Sequence, residues 1–251
     1  MTRTANARIA GFTFLFYIAI GLAGMALDRR ATMGEGAADR LANLAAQASV
    51  FRTSLVLTVF MGLCALVLAV TLHALTRGED AEIARLAMCC RLGEGLVGMA
   101  GIPPALGLLR LATSPAESGH SDLSGANALG GYLLEVGGGN ALVCSILFAF
   151  GSTLFCWLFL RARTIPAPLA WLGVGASLLL VVVLPAQLGG VVSGPATGYA
   201  WMPMLLFELG FALWLLVKGG DARVATAGPG GATPPAGRGA RPQGPRAPRP
   251  G

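Results

Sequence analysis

The sequence predicts an all-α membrane protein, a polytopic bundle of six transmembrane helices with a short interfacial helix and a disordered C-terminal tail. Hydrophobic residues make up 55% of its 251 residues and charged residues only 12%, about half the charged share of a soluble domain. Six apolar runs are long enough to cross about 30 Å of hydrocarbon, which takes roughly 20 helical residues. None alternates as barrel strands do, so helices are expected. The runs cover residues 9–27, 53–75, 83–109, 139–160, 165–187 and 199–217.

The first run is predicted to be a retained span rather than a cleaved signal peptide. Arg3 and Arg8 precede it, as basic residues precede a signal peptide. However, its 19 apolar residues exceed the roughly 7–15 of a signal sequence, and no Ala-x-Ala site follows. Residues 1–219 are therefore predicted to form one six-span domain.

Three connections between the spans carry structural information. Between the first and second, Leu41, Leu44, Ala45 and Ala48 recur at helical spacing, which predicts an amphipathic helix lying on the outer membrane surface. The connection at 110–138 is long, acidic and rich in Gly and Ser, and its end, the Gly triplet 137–139, is also interpreted as loop.

The connection between the fourth and fifth spans, RARTIPAPLAWLG, is predicted to be a tight turn. Pro166 stands at the start of the fifth helix, where a missing N–H is tolerated. In the third span, the pair Pro103 and Pro104 is expected to bend the helix and to free backbone carbonyls.

The basic excess of the chain lies in its C-terminal segment. The net charge is +6, and Lys218 with the residues beyond it contributes six basic residues and one acid, a net of +5. From Gly228 onward there is no aromatic or large aliphatic residue, so the tail 220–251 is predicted to be disordered. Contact with anionic lipid is the favoured role for it, and no nucleic-acid partner is expected.

Lysine and arginine also predict the orientation. The side of the membrane with both termini carries twelve of them and the other side five, with Arg91 inside a span. Since basic residues concentrate in cytoplasmic segments, both termini are expected in the cytoplasm of a bacterial inner-membrane protein.

Four stretches resemble parts of a known family. Two are hydrophobic: ARIAGFTFLFYIAIGLAG at 7–24 and VFRTSLVLTVFMGLCALVLAVTLHAL at 50–75. Two are more specific: FLRARTIPAPLAWLG and the closing FELGFALWLLVKG. Together they resemble a bacterial six-span family catalogued as domain of unknown function 4386, over residues 7–219. The chain departs from it at His73, where the family favours Tyr. The resemblance implies a fold class and a membrane location, and no catalytic residue.

The closing stretch places one carboxylate, Glu208, inside an apolar run. Lys218 marks the end of that helix, ten residues away, so Glu208 is expected about 15 Å from the membrane surface, near the midplane. An ionised and unpaired acid there would cost a few kcal/mol. Glu208 is therefore expected to face the bundle interior, where it is either paired or protonated.

Arg91 is the expected partner of Glu208. With Arg85 at the cytoplasmic edge, Arg91 lies about 9 Å deep and Glu94 about 13.5 Å deep, on the same helical face. That face continues with small residues at Gly98, Gly101 and Ala105. Small residues let another helix approach closely within a membrane. We therefore expect Arg91 to lie between Glu94 and Glu208.

Two interpretations of this charge cluster stay open. It is either a structural ion pair that fixes the register of two helices, or a proton or substrate site, since ionisable residues within membranes mark ion pathways. One arginine with two acids leaves a formal negative charge, which favours a bound proton or cation. The predicted function is an integral inner-membrane protein without catalytic activity. The alternative is a small proton-coupled transporter or exporter, working as a homo-oligomer because six short spans leave little room for a central pathway.

The sequence lacks the common catalytic and metal-binding motifs. It contains no Gly-x-Ser-x-Gly, no His-Glu-x-x-His and no phosphate-binding Gly loop. His120 and Asp122 would supply only two metal ligands in a loop, and the five cysteines lie in spans without a Cys-x-x-Cys pattern. No enzymatic activity, cofactor or metal is expected.

The predicted orientation can be tested with a topology reporter that is active only outside the cytoplasm. Fusion within 113–127 is expected to give activity, and fusion after Lys218 is expected to give none, because the first site is predicted to be external and the second cytoplasmic. The reverse pattern would overturn the orientation.

Overall fold

The structure is a computed structural model that describes residues 2–113, 123–193 and 195–219. The predicted tail at 220–251 lies outside these residues, as do His120 and Asp122. Within them, all regular secondary structure is helical. The helices are α1 (Arg3–Ala31), α2 (Ala37–Ala46), α3 (Ala48–Thr76), α4 (Ala81–Ala100), α5 (Ile102–Thr113), α6 (Leu123–Ala162), α7 (Ala167–Leu188), α8 (Pro195–Tyr199) and α9 (Met202–Lys218).

Six helical segments are long and apolar enough to cross a membrane, which confirms the predicted fold class. Four are the single helices α1, α3, α6 and α7, and two are formed by α4 with α5 and by α8 with α9. The chain is therefore a multi-pass membrane protein.

The six segments form a ring in the order of the chain. α1 packs on α3, α3 on α4, α4 on α6, and α6 on α7. The last helix, α9, packs on both α7 and α1 and so closes the ring. Buried side chains from all of these helices fill the interior, including those of Phe14, Phe148, Phe155, Phe159, Phe207 and Phe211.

The third span breaks between α4 and α5, next to the two prolines at which a bend is predicted. α4 ends at Ala100 and α5 begins at Ile102, just before the two prolines. The N–H of Gly101 donates to the carbonyl of Gly98 at 3.3 Å, so the Val97 carbonyl loses its usual partner four residues on. The Asn140 side-chain amide of α6 replaces it, donating to that carbonyl at 2.9 Å. Such replacement is what makes a break in a membrane helix tolerable.

The helix predicted before the second span is present as α2, and it packs on protein. Leu41 and Leu44 are buried in a cluster with residues of α5 and α6. The side-chain amide of Asn43 donates to the carbonyls of Arg30 and Ala31 at 2.9 and 3.2 Å, so α2 also supplies hydrogen bonds to the C-terminal end of α1.

The predicted loop at 110–138 is wrong at residues 110–113, which belong to α5, and from residue 123 onward. α6 has 40 residues and a length of about 60 Å, well beyond one bilayer crossing. The Gly triplet 137–139 lies within it as helix. Its N-terminal half is held by packing against α2 and α5, where Leu133 and Leu134 join the cluster around Leu41. Glycine is also more frequent in membrane helices than in soluble ones.

The close contact between α1 and α9 depends on a glycine. A Cβ on Gly11 would lie 2.8 Å from the carbonyl oxygen of Ala212 and 3.0 Å from the amide nitrogen of Leu216. Both are backbone atoms, which cannot move out of the way as a side chain does. The helix that carries Glu208 is thereby brought against the first helix.

We predict that Gly11→Ala destabilises the protein by about 1–3 kcal/mol, because the added methyl group overpacks this contact. Thermal unfolding in detergent measures the loss. The matched control is Gly175→Ala in α7, where the new Cβ meets nothing within 4 Å. That variant should melt at the parent temperature or slightly above it, since alanine favours helix over glycine by about 1 kcal/mol. Equal melting of both variants would contradict the close contact.

Candidate functional site

Arg91 lies at the centre of the bundle and is paired with Glu94 on the same helix. Both side chains are buried, at 1% and 2% exposure, and the Arg91 Nη1 atom lies 2.7 Å from Glu94 Oε2. Their spacing of three residues on α4 places them on one face, as the helical period requires. This is a short, charge-assisted hydrogen bond in an environment of low dielectric.

Tyr17 of α1 supplies a second partner for Glu94. Its phenolic O–H donates to Glu94 Oε1 at 2.7 Å, so each oxygen of this carboxylate has a short hydrogen bond. Tyr17 was not among the residues predicted from the sequence. Its position within the first apolar run was the available signal, because a buried phenol needs a hydrogen-bond partner.

Glu208 of α9 approaches Arg91 from the other side of the bundle. Its Oε1 atom lies 3.9 Å from Arg91 Nη2, which is an ion pair and is too long for a hydrogen bond. Among the described residues, no hydrogen bond reaches this buried oxygen or the Nε of Arg91. The structure thus brings Arg91, Glu94 and Glu208 together, with Arg91 bound closely to Glu94 and loosely to Glu208.

Aromatic rings surround the Arg91 guanidinium group. Its central carbon lies 4.6 Å from the ring centre of Phe148, 5.4 Å from that of Phe14 and 5.7 Å from that of Tyr17. Ring faces attract a cation, more strongly when water is excluded. The rings from α1 and α6 therefore stabilise the arginine and fix its position.

A small cavity adjoins the cluster. It has a volume of about 10 Å³ and is lined by Arg91, Ser152 and Cys156 together with apolar side chains. A single water molecule needs roughly this volume. The site therefore accommodates a proton or one water molecule in this conformation, and has no space for a larger substrate.

The small residues predicted along the charged face of α4 lie against α6. A Cβ on Gly98 would lie 3.5 Å from Cys144 Sγ, and one on Gly101 would lie 2.7 Å from the Asn140 side-chain nitrogen. The Cys144 thiol also donates to the carbonyl of Glu94 at 3.3 Å. Ala105, the third small residue, lies beyond the break and packs against the buried cluster that contains Leu41 and Leu44. The close approach of α6 to α4 thus encloses the charge cluster of Arg91, Glu94 and Glu208.

Two of the five cysteines, Cys144 and Cys156, lie beside this site. All five cysteines are free, and Cys89 is exposed while its neighbour Cys90 is buried. Within residues 2–113, 123–193 and 195–219, no group of three or more His, Cys, Asp or Glu side chains is arranged to hold a metal ion.

Comparison with known proteins gives one match. A family model described as a domain of unknown function (DUF4386) matches residues 9–219, a range that covers all six membrane segments and the charge cluster. No curated protein and no solved structure matches the chain.

The coupling within the cluster predicts an ordered series of melting temperatures. Arg91→Leu leaves two acids without a cation in low dielectric and is expected to cost about 3–5 kcal/mol. Adding Glu94→Gln and Glu208→Gln removes all three formal charges, so the triple variant should melt above Arg91→Leu alone in detergent. If the stability loss of the triple variant equalled the sum of the losses of the three single variants, the residues would not be coupled.

The matched control for this series is Arg85→Gln on the same helix. Arg85 forms an exposed ion pair with Glu82, and pairs of this kind contribute about 0–1 kcal/mol. A loss as large as that of Arg91→Leu would show that the effect does not come from burial.

Proposed function

Because the chain belongs to the family named domain of unknown function 4386, whose description gives no activity, we propose its function from the buried charge cluster. The protein is a small proton-coupled transporter or exporter of the bacterial inner membrane, with both termini in the cytoplasm and no enzymatic activity. Glu208 is the residue that binds and releases the proton.

The unequal pairing of the two acids supports this proposal. Glu94 has one short bond to Arg91 and another to Tyr17, whereas the Oε1 atom of Glu208 is 3.9 Å from Arg91 and without a hydrogen bond from the described residues. One guanidinium cannot neutralise two carboxylates. The remaining negative charge falls on the acid with the weaker partner, and a proton neutralises it at the least cost in a membrane interior.

The cavity beside Arg91 favours a proton over a larger cation. A dehydrated metal ion needs several oxygen ligands around it, whereas this space of about 10 Å³ has a largely apolar lining. A proton needs only the carboxylate itself. The substrate that moves with the proton requires a different conformation, in which the bundle opens.

The position of Glu208 in the ring links protonation to conformation. α4 and α9 are not neighbours in the ring, so the ion pair from Arg91 to Glu208 crosses the bundle interior. Ionised Glu208 attracts Arg91 and holds α9 inward. Protonated Glu208 loses that attraction, and α9 then depends on its packing against α1 and α7. A proton can in this way change the balance between closed and open arrangements.

A structural ion pair is the second candidate function, and one observation favours it. Arg91 is 1% exposed and enclosed by three rings, so this arrangement shields it from bulk water. In this alternative, the cluster fixes which helices pack together and in which register. It then moves no protons.

We predict proton flux in proteoliposomes that carry a pH-sensitive dye inside. The parent protein is expected to move protons across the membrane, and Glu208→Gln should lower that rate at least about tenfold because the amide cannot ionise. Glu82→Gln, on the exposed face of α4, is the matched control and should keep the parent rate. A folded parent protein without flux would contradict the transporter and support the structural ion pair.

Infrared spectroscopy tests the protonation of Glu208 without any knowledge of the substrate. A pH titration should show one buried carboxylic acid band that is absent in Glu208→Gln and present in Glu82→Gln. If the band were lost in Glu94→Gln and kept in Glu208→Gln, the titrating acid would be Glu94, which would contradict our proposal. Absence of any band in the parent would exclude a titrating buried carboxyl group.

A further inference from the structure

The corner between α6 and α7 borders a second and much larger cavity, which is open to the surface on one side. It has a volume of about 600 Å³ and lies at the C-terminal end of α6, away from the Arg91 cluster. Two arginines and one tryptophan stand among its lining residues. The full lining consists of Leu160, Arg161, Arg163, Ile165, Ala167 and Trp171.

We propose that this corner cavity binds the phosphate headgroup of an anionic membrane lipid. The guanidinium groups of Arg161 and Arg163 can each donate two parallel hydrogen bonds to phosphate oxygens, the geometry that makes arginine the preferred phosphate ligand. Basic pockets between membrane helices near the bilayer surface bind lipid headgroups in this way.

Arg161 remains available for such a ligand. Its nearest carboxylate is Asp80, with Nη1 and Oδ2 3.8 Å apart, beyond hydrogen-bond distance. The other oxygen of Asp80 accepts the N–H groups of Glu82 and Ile83, both at 3.1 Å, so Asp80 mainly caps α4. Among the described residues, Asp80 is thus a loose partner, and the Arg161 guanidinium group lies near the cavity with donors left for a ligand.

Arg163 occupies a backbone position that disfavours its side chain. Its φ angle is +50°, in the left-handed region where glycine is the favoured residue. It is also exposed, and within the described residues it forms no salt bridge. We interpret this exposed cation, which has no salt bridge to the described residues and lies at a strained backbone position, as a ligand-binding residue.

The remaining lining favours a lipid over a free anion. Trp171 is 61% exposed, and exposed tryptophan at the end of a membrane span is typical of the headgroup level. Ile165 and Leu160 add apolar surface suited to the glycerol and upper acyl region. Ala167 is the first residue of α7, whose N-terminal end has no side-chain cap, so its N–H group is a further donor for phosphate. The neighbouring Pro166 and Pro168 have no N–H group to add.

This site is independent of the proposed proton transport and of the basic tail. It depends on four features of the described residues: the volume of the cavity, its two arginines, the strained backbone at Arg163 and the exposed tryptophan. A structural protein with the same corner would bind the same lipid.

Thermal unfolding of the full chain in neutral detergent, with added phospholipid, tests the site. Phosphatidylglycerol should raise the melting temperature by about 5 °C at saturation relative to phosphatidylcholine. The double variant Arg161→Gln with Arg163→Gln should lose this rise. The matched control Arg29→Gln with Arg30→Gln, at the opposite end of the bundle, removes two arginines from the end of α1 and should keep it. A rise that persists in the double variant would overturn the site.

Two further measurements test the role of Arg163 and the identity of the ligand. Arg163→Gly removes the cation and relaxes the backbone at φ +50°, so it should fold at least as well as the parent in phosphatidylcholine. The rise in its melting temperature with phosphatidylglycerol should also be at least about threefold smaller than that of the parent, and an unchanged rise would overturn the role of Arg163.

Inorganic phosphate at the same concentration should shift the melting temperature of the parent by less than about 1 °C. An equal shift with phosphate would identify a free anion as the ligand and overturn the lipid assignment.

Discussion

The interior of the ring depends on one buried guanidinium group. Moving an ion from water into the interior costs several kcal/mol even after relaxation, so Arg91 must be compensated from several directions. The compensation comes from a carboxylate on its own helix, from rings on α1 and α6, and from a distant acid on α9. These partners bring four helices to one point. The packing around the charge cluster is therefore set by electrostatics as well as by apolar burial.

The partners of Arg91 are unequal, and that inequality carries the proposed function. A symmetric arrangement of one cation between two acids would share the charge between them. Instead Tyr17 completes the pairing of Glu94 and leaves Glu208 with the weaker interaction. In the proposed function, the phenol of Tyr17 on the first helix thus decides which of the two acids takes up the proton.

Much of this arrangement follows from the sequence because it depends on local quantities. Span length and hydropathy predict the six membrane segments, and the helical period with depth along each helix predicts that Arg91, Glu94 and Glu208 meet. Tyr17 was missed because its partner depends on which helices are neighbours in the ring. The first third of α6 was missed because the glycines there suggest a loop, whereas packing against α2 and α5 keeps it helical. Such packing between distant segments is not encoded in any local pattern.

The ring order has a consequence for biosynthesis. A chain whose helices pack in the order of synthesis can assemble as each span leaves the ribosome, and α9 closes the ring last. Arg91 and Glu208 are separated by 117 residues, so about 6–23 s pass between their synthesis at a rate of roughly 5–20 residues per second. During that interval Glu94 and Tyr17 have already been synthesised. The pair of Arg91 and Glu94 can therefore form before α9 is made, and under the proposed function the acid that takes up a proton joins the bundle last.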